Sequence, residues 1–203
     1  MSLHKVRRGV LATCEATGKR VLPSWLGVCA VTQKRVLKDL LVTSSISQAS
    51  MFKDEAVRSI GGKFCLPSEA QMCSWSDRRA HPDDLRSCSL TGLSIHIEFA
   101  ASESAPKLRP LAELLDGIRR NTDEDQLWSQ VAERIASASK GTKCRVEAAI
   151  LSPSKRHLAA CAETKSYLGL RVSYVGAIYD LEDSAIVGRV PEGKRNAGNW
   201  SAR

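Results

Sequence analysis

A chain of 203 residues with 43% hydrophobic and 26% charged residues has the composition of a soluble globular protein of one large or two small domains. No apolar run approaches the length of a bilayer crossing, and the basic lead, residues 1–13, lacks the hydrophobic segment of a secretion signal. The reading is therefore a cytoplasmic protein with no membrane partner. Thirty Lys and Arg against 22 Asp and Glu leave a formal charge of +8, which favours a polyanionic partner such as nucleic acid, against a soluble basic protein with no such partner. Seven cysteines, an odd number without a secretion signal, argue against a disulfide framework and leave reduced thiols or metal ligands.

From residue 14 to about 99 the sequence repeats itself six times with a period near fifteen. Cys14 begins CEATGKRVLPSWLGV, Cys29 begins CAVTQKRVLKDLLVT and Ser44 begins SSISQASMFKDEAVR. Ser59 begins SIGGKFCLPSEAQM, Cys73 begins CSWSDRRAHPDDLRS and Cys88 begins CSLTGLSIHIEFA. Position four is a hydroxyl in Thr17, Thr32, Ser47, Ser76 and Thr91, and Gly18, Gly62 and Gly92 follow at or near position five, as a tight turn with positive φ requires. A short apolar stretch comes next, then Pro23, Pro67 or Pro82 ahead of Ser24, Ser68 or Asp83, the pattern of a one-turn helix start. Each repeat reads as turn, short strand and helical turn, a piece too small to bury a core alone, so neighbours must stack.

The knuckle Cys-x-x-(Cys or Thr)-Gly, followed by a hairpin and a helical turn, resembles treble-clef and zinc-ribbon modules over residues 14–98. In those families two knuckles of Cys-x-x-Cys complete a tetrahedral zinc site. Here Thr17, Thr32, Ser76 and Thr91 stand where the second cysteine would be, so the resemblance implies degenerate, metal-free knuckles. One donor set offsets this. Cys73, His81, Cys88 and His96 form C-x7-H-x6-C-x7-H, an acceptable pair of thiols and imidazoles for zinc. His81 and His96 also occupy the ninth position, held by Leu22, Leu37 and Phe52 elsewhere, so the same residues read equally as packed side chains; no other cofactor is expected.

Lys19, Arg20, Lys34, Arg35, Lys63, Arg78 and Arg79 fall at the sixth and seventh positions. A regular stack would line them up to meet phosphates, an acidic protein surface or solvent alone. Ala49-Ser50 and Leu93-Ser94 interrupt the stripe, and aromatic interleaving is limited to Trp25 and Trp75, at different repeat positions.

Residues 100–107 read as a linker, and the period changes beyond them. Leu111, Leu114, Leu115 and Ile118 mark a first helix over 108–120; Thr122 caps a second, with Leu127, Trp128, Val131 and Ile135 on its apolar face and Gly141 at its end. Two hairpins follow, 144–151 with 156–163 and 170–179 with 185–190, and residues 191–203 read as a loose tail. The expected fold class is α+β: a repeat array, then a domain of residues 108–190 with two helices on a four-stranded antiparallel sheet. Glu147, Ser152-Pro153-Ser154 and Glu163-Thr164-Lys165 resemble the hairpin of PD-(D/E)xK nucleases, which implies magnesium held by two carboxylates and a lysine that orients water; serine replaces the Asp of that pattern. His157 and Cys161 share one strand face but lack an oxyanion site. The sequence thus points to a non-enzymatic binding or accessory protein with a basic surface for nucleic acid or a nucleic-acid-processing complex, against a protein–protein scaffold and a degenerate nuclease-like domain as alternatives.

Overall fold

The computed structural model describes residues 11–102, 104, 106–116, 131, 143–165, 172–190, 193–196 and 199–202. By internal packing the chain divides into two bodies: an N-terminal one of residues 1–71 with 79–84, and a C-terminal one of residues 72–78 with 85–203. Among the described residues no helix is long and apolar enough to cross a membrane.

The N-terminal body is built from antiparallel pairs of two- and three-residue strands. Strand β1 (Ala12–Thr13) pairs with β2 (Arg20–Val21), β3 (Leu26–Val28) with β4 (Arg35–Leu37), β5 (Leu41–Thr43) with β6 (Ser50–Phe52), and β7 (Val57–Arg58) with β8 (Phe64–Cys65). β1 precedes the first repeat; each later pair joins the end of one repeat to the middle of the next, with the knuckle as its loop. One-turn 3₁₀ segments at Pro23–Trp25 and Lys38–Leu40 lead out of the first two repeats, the first opened by Pro23, which fixes its own φ and lacks an amide that would need a partner there. The chain then passes between the bodies through β9 (Gln71–Met72) and β10 (Arg79–Ala80). In the C-terminal body β11 (Leu85–Ser87) pairs with β12 (Ser94–His96) in the same way.

The knuckles share one hydrogen-bond scheme. The first-position amide donates to the sixth-position carbonyl at Cys14–Lys19 (2.8 Å), Cys29–Lys34 (2.9 Å), Ser44–Ala49 (2.8 Å), Cys73–Arg78 (2.9 Å) and Cys88–Leu93 (2.7 Å); the shorter fourth repeat does the same from Ser59 to Lys63 (2.8 Å). The fifth-position amide returns to the first-position carbonyl, and its residue takes positive φ: Gly18, Gln33, Gln48, Asp77 and Gly92, with Gly62 in the fourth repeat. Glutamine and aspartate accept this backbone at a cost of roughly 1–2 kcal/mol that glycine avoids. A Cβ at Gly18 would meet nothing within 4 Å, so only backbone strain opposes a side chain there. Gly18→Ala is expected to destabilise the protein by about 1 kcal/mol, whereas Gln33→Gly is expected to be neutral or stabilising by up to ~1 kcal/mol. Urea denaturation of both variants checks this; equal destabilisation by the two would refute the assignment.

Bonds between successive repeats follow a second rule. The second-position amide donates to the seventh-position carbonyl of the next repeat: Glu15 to Arg35 (2.9 Å), Ala30 to Ser50 (2.7 Å), Ser45 to Phe64 (2.8 Å) and Ser74 to Ser94 (2.8 Å). The fourth repeat substitutes a side chain, the Ile60 amide donating to Asp84 Oδ2 at 2.9 Å. The segment read as a linker serves the sixth repeat, since Ser89 donates to the Pro106 carbonyl (2.9 Å) and the Leu108 amide to Cys88 Sγ (3.3 Å). A segment without the repeat's sequence thus supplies the acceptor and donor that another repeat would.

The expected two-helix, four-stranded domain is corrected. Among the described residues the molecule is made mostly of small antiparallel strands, with one α-helix element, α1 (Arg109–Leu115). The proposed second helix over 122–141 lies outside the described residues except for Val131, which is helical and fully buried. The sheet has six strands: β13 (Lys143–Leu151), β14 (His157–Lys165), β15 (Val172–Asp180), β16 (Ala185–Arg189), β17 (Gly193–Asn196) and β18 (Asn199–Ala202). They run in the order β13-β14-β15-β17-β18, with β16 also on β15. The last two lie in the stretch expected to be a loose tail; Gly, Lys and Asn read as loop, but backbone pairing of Gly193–Ala202 to Asn196–Asn199 does not depend on apolar side chains.

Strands β14 and β15 are buried on both faces. Leu158, Ala160 and Ala162 with Val175, Ala177 and Tyr179 form one face, clustered with Val131 and Ala149. On the other face Leu111 and Leu115 of α1 come down on Gly176, where a Cβ would stand 3.1 Å from each leucine. Small residues in β14 and Gly176 in β15 let the helix approach the sheet closely.

Candidate nucleic-acid interface

The first-position side chain is the structural centre of each knuckle. Cys14, Cys29, Ser44, Ser59, Cys73 and Cys88 are all buried. Ser44 Oγ accepts the amides of Ile46 (3.1 Å) and Ser47 (3.2 Å), the third and fourth positions. Cys14 Sγ is a hydrogen-bond acceptor of the same kind. The Thr17 side chain, and then the amides of Leu37, Thr17 and Ala16, outweigh burial and bring the thiol down to about 7. Cysteine and serine alternate here because both carry an acceptor on one carbon, which is what a ring of inward-pointing amides needs.

Each of the four candidate zinc donors accepts a backbone amide. Cys73 Sγ accepts the His96 amide (3.3 Å), and Cys88 Sγ the Leu108 amide. His96 Nδ1 accepts the Glu98 amide (3.3 Å). His81 is 1% exposed; its Nδ1 accepts the Asp83 amide (3.1 Å) and its Nε2 is hydrogen-bonded with Ser45 Oγ (2.9 Å). Among the described residues no group of three or more His, Cys, Asp or Glu side chains could hold a metal ion. In the nuclease-like hairpin the turn is closed by Ser152 Oγ, which accepts the His157 amide (3.0 Å) and bonds Ser154 Oγ (3.0 Å). Glu147 sits at a bulge in β13, between the Val146–Ala162 and Ala148–Cys161 pairs. His157 faces Asp180 (3.4 Å) rather than Cys161.

The basic residues divide by what they touch. Lys19, Arg20, Lys34 and Arg35 are exposed in the first two repeats. Residues 14–43 hold five basic and two acidic side chains, so this stretch keeps a positive balance, whereas residues 44–72 hold three of each. Lys63 is neutralised by Asp83 at 2.7 Å; that hydrogen bond and the carboxylate's charge raise the ammonium's affinity for its proton. Arg79 donates to the Pro67 carbonyl (3.1 Å). Arg78, in the C-terminal body, is exposed. The seven residues thus include Lys19, Lys34 and Arg35, exposed and without an ion pair among the described residues, and Lys63 and Arg79, engaged by their own surroundings.

Sequence reasoning missed the carboxylates that tie repeats together. Glu55, Glu69 and Asp84 stand at or next to the twelfth position and reach back to the preceding repeat. The Cys29 thiol donates to Glu55 (3.5 Å), Ser44 Oγ donates to Glu69 (2.6 Å), and Asp84 takes the Ile60 amide. Glu69 also accepts the Leu66 amide (2.8 Å). Burial pushes its pKa up, but the hydrogen bonds from Ser44, Ser47 and Leu66 and the nearby His81 win, so it stays below the usual carboxylate range. The signal was present as a recurring acid at one repeat position. In the first two repeats Trp25 and Leu40 take that place and stay exposed, at 60% and 37%.

No protein-family model, curated protein or solved structure matches the chain.

Proposed function

We propose that the protein is a non-enzymatic, cytoplasmic binding protein whose first two repeats present a basic surface to nucleic acid or to a nucleic-acid-processing complex. The observation that carries this reading is the state of Lys19, Lys34 and Arg35. Their backbone is fixed by the knuckle bonds, since the Lys19 and Lys34 carbonyls accept the first-position amides and the Arg35 carbonyl the Glu15 amide. Their side chains are exposed, and none forms an ion pair among the described residues. Cations held on an ordered backbone and left unneutralised suit contact with phosphates. The likeness of the knuckles to zinc ribbons is read here as descent from a metal-binding module whose ligand positions now accept amides.

A protein-binding scaffold is the second reading, favoured by exposed Val31, Ile46 and Ile60 in the knuckles of consecutive repeats. Binding of an oligonucleotide measured over a salt series separates the two. Three phosphate contacts predict that log affinity falls with log salt at a slope of about −2 to −3. An affinity unchanged between low and moderate salt would remove phosphate contact as its source.

A further inference from the structure

The first two repeats also hold an aromatic side chain that packing does not explain. Trp25 ends the 3₁₀ segment Pro23–Trp25 and is 60% exposed. It lines an open pocket of about 300 Å³ with Ser24, Leu37, Lys38 and Asp39. Beside it, a Cβ at Gly27 would stand 2.9 Å from Leu41 Cδ1, so the bare backbone lets Leu41 pack against β3, with Lys38 Cγ at ordinary contact distance, 3.5 Å. Lys38 and the indole line the same pocket.

The strand register adds a second cation. In the β3–β4 pair Leu26 stands opposite Leu37 and Val28 opposite Arg35, and residues two apart on a strand share a face. Arg35 therefore lies on the same face of β4 as Leu37, about 7 Å along the strand from the pocket wall. An exposed indole, an apolar floor, an ammonium and a guanidinium on one surface match a ligand with a flat apolar face and adjacent negative charge. Asp39 at the rim adds an acceptor for a base edge and disfavours an acidic peptide.

We infer that Trp25 is a stacking platform for an unpaired base, and that the first two repeats bind single-stranded nucleic acid, with Arg35 and Lys38 on the neighbouring phosphates. The indole would take the base face, since stacking tolerates every base, and a duplex would keep its bases out of reach. This rests on the nucleic-acid reading above and narrows it to one class of strand.

The test uses the full chain and a fluorescently labelled oligothymidylate, with a duplex of equal length as competitor. The single strand is expected to bind more tightly than the duplex. Trp25→Ala is expected to weaken single-strand binding about tenfold or more, Trp25→Phe to retain most of it, and the salt slope to stay unchanged in both. Thermal melting of each variant checks that the fold is intact, as the exposure of Trp25 leads one to expect. Single-strand affinity unaffected by Trp25→Ala, or tighter binding of the duplex, would overturn the stacking site and leave the phosphate reading standing. Failure of both nucleic acids to bind at low salt would overturn both, as would equal retention of polyglutamate.

Discussion

Changing Lys19, Lys34 and Arg35 together to glutamate is expected to lower nucleic-acid affinity by about a hundredfold at low salt, at roughly 1 kcal/mol for each cation removed. The same triple variant should flatten the salt slope by about 2 to 3, because each lost phosphate contact removes the release of its counterion. Stability should hardly change, since all three side chains are exposed and carry no ion pair among the described residues. Three changes that spare the fold yet erase most of the salt dependence would locate the interface. If affinity and slope both survived, binding would have to lie elsewhere on the chain.

Asp180→Ala is expected to destabilise the C-terminal body by about 2–4 kcal/mol. Asp180 is 2% exposed at the end of β15, opposite His157 in the sheet register. It receives Arg156 Nε at 2.9 Å and the amides of Glu182 (2.9 Å) and Asp183 (3.1 Å), which close the β15–β16 turn. Alanine would leave those amides without their acceptor. Arg156 would fare better, because it is partly exposed and also reaches Asp183 at 3.1 Å and Asp77 at 3.6 Å, which keeps the cost at the lower end for a buried pair. Burial pushes the Asp180 pKa up, but the Asp183 amide, the Arg156 hydrogen bond, the Glu182 amide and the Arg156 charge together hold it below the ordinary value. A carboxyl whose folded pKa is depressed adds stability that is complete above its unfolded value and lost as pH falls through the folded one. The native protein should therefore weaken in acid, below about pH 4, more steeply than the Asp180→Asn variant. Parallel stability curves for the two would show that the carboxylate's charge contributes nothing.

The knuckles were legible in the sequence because their chemistry is local. A hydroxyl at position four and glycine at position five announce a turn with positive φ, and Gln33, Gln48 and Asp77 take the same backbone as Gly18 and Gly92. The role of the cysteines was not legible. A thiol that accepts amides and a thiol that binds zinc call for the same residue in the same turn. The carboxylates of Glu55, Glu69 and Asp84 went unmarked because their partners lie 24 to 26 residues away, in another repeat. A separation of 20 residues likewise hid the pairing of Lys63 with Asp83. In the C-terminal body helical spacing located α1, but β17 and β18 form through backbone pairing that side-chain pattern does not announce.

The binding surface depends on successive repeats being fixed to one another by one amide each, and hydrogen exchange reads those amides directly. Glu15, Ala30, Ser45, Ser74 and Ser89 sit in surface turns, so little besides the bond to the next segment shields their N–H groups. Native-state exchange should find all five slow and similar. Exchange at these five as fast as in an open loop would mean that the repeats are not joined in this way, and that Lys19, Lys34 and Arg35 do not share a fixed surface.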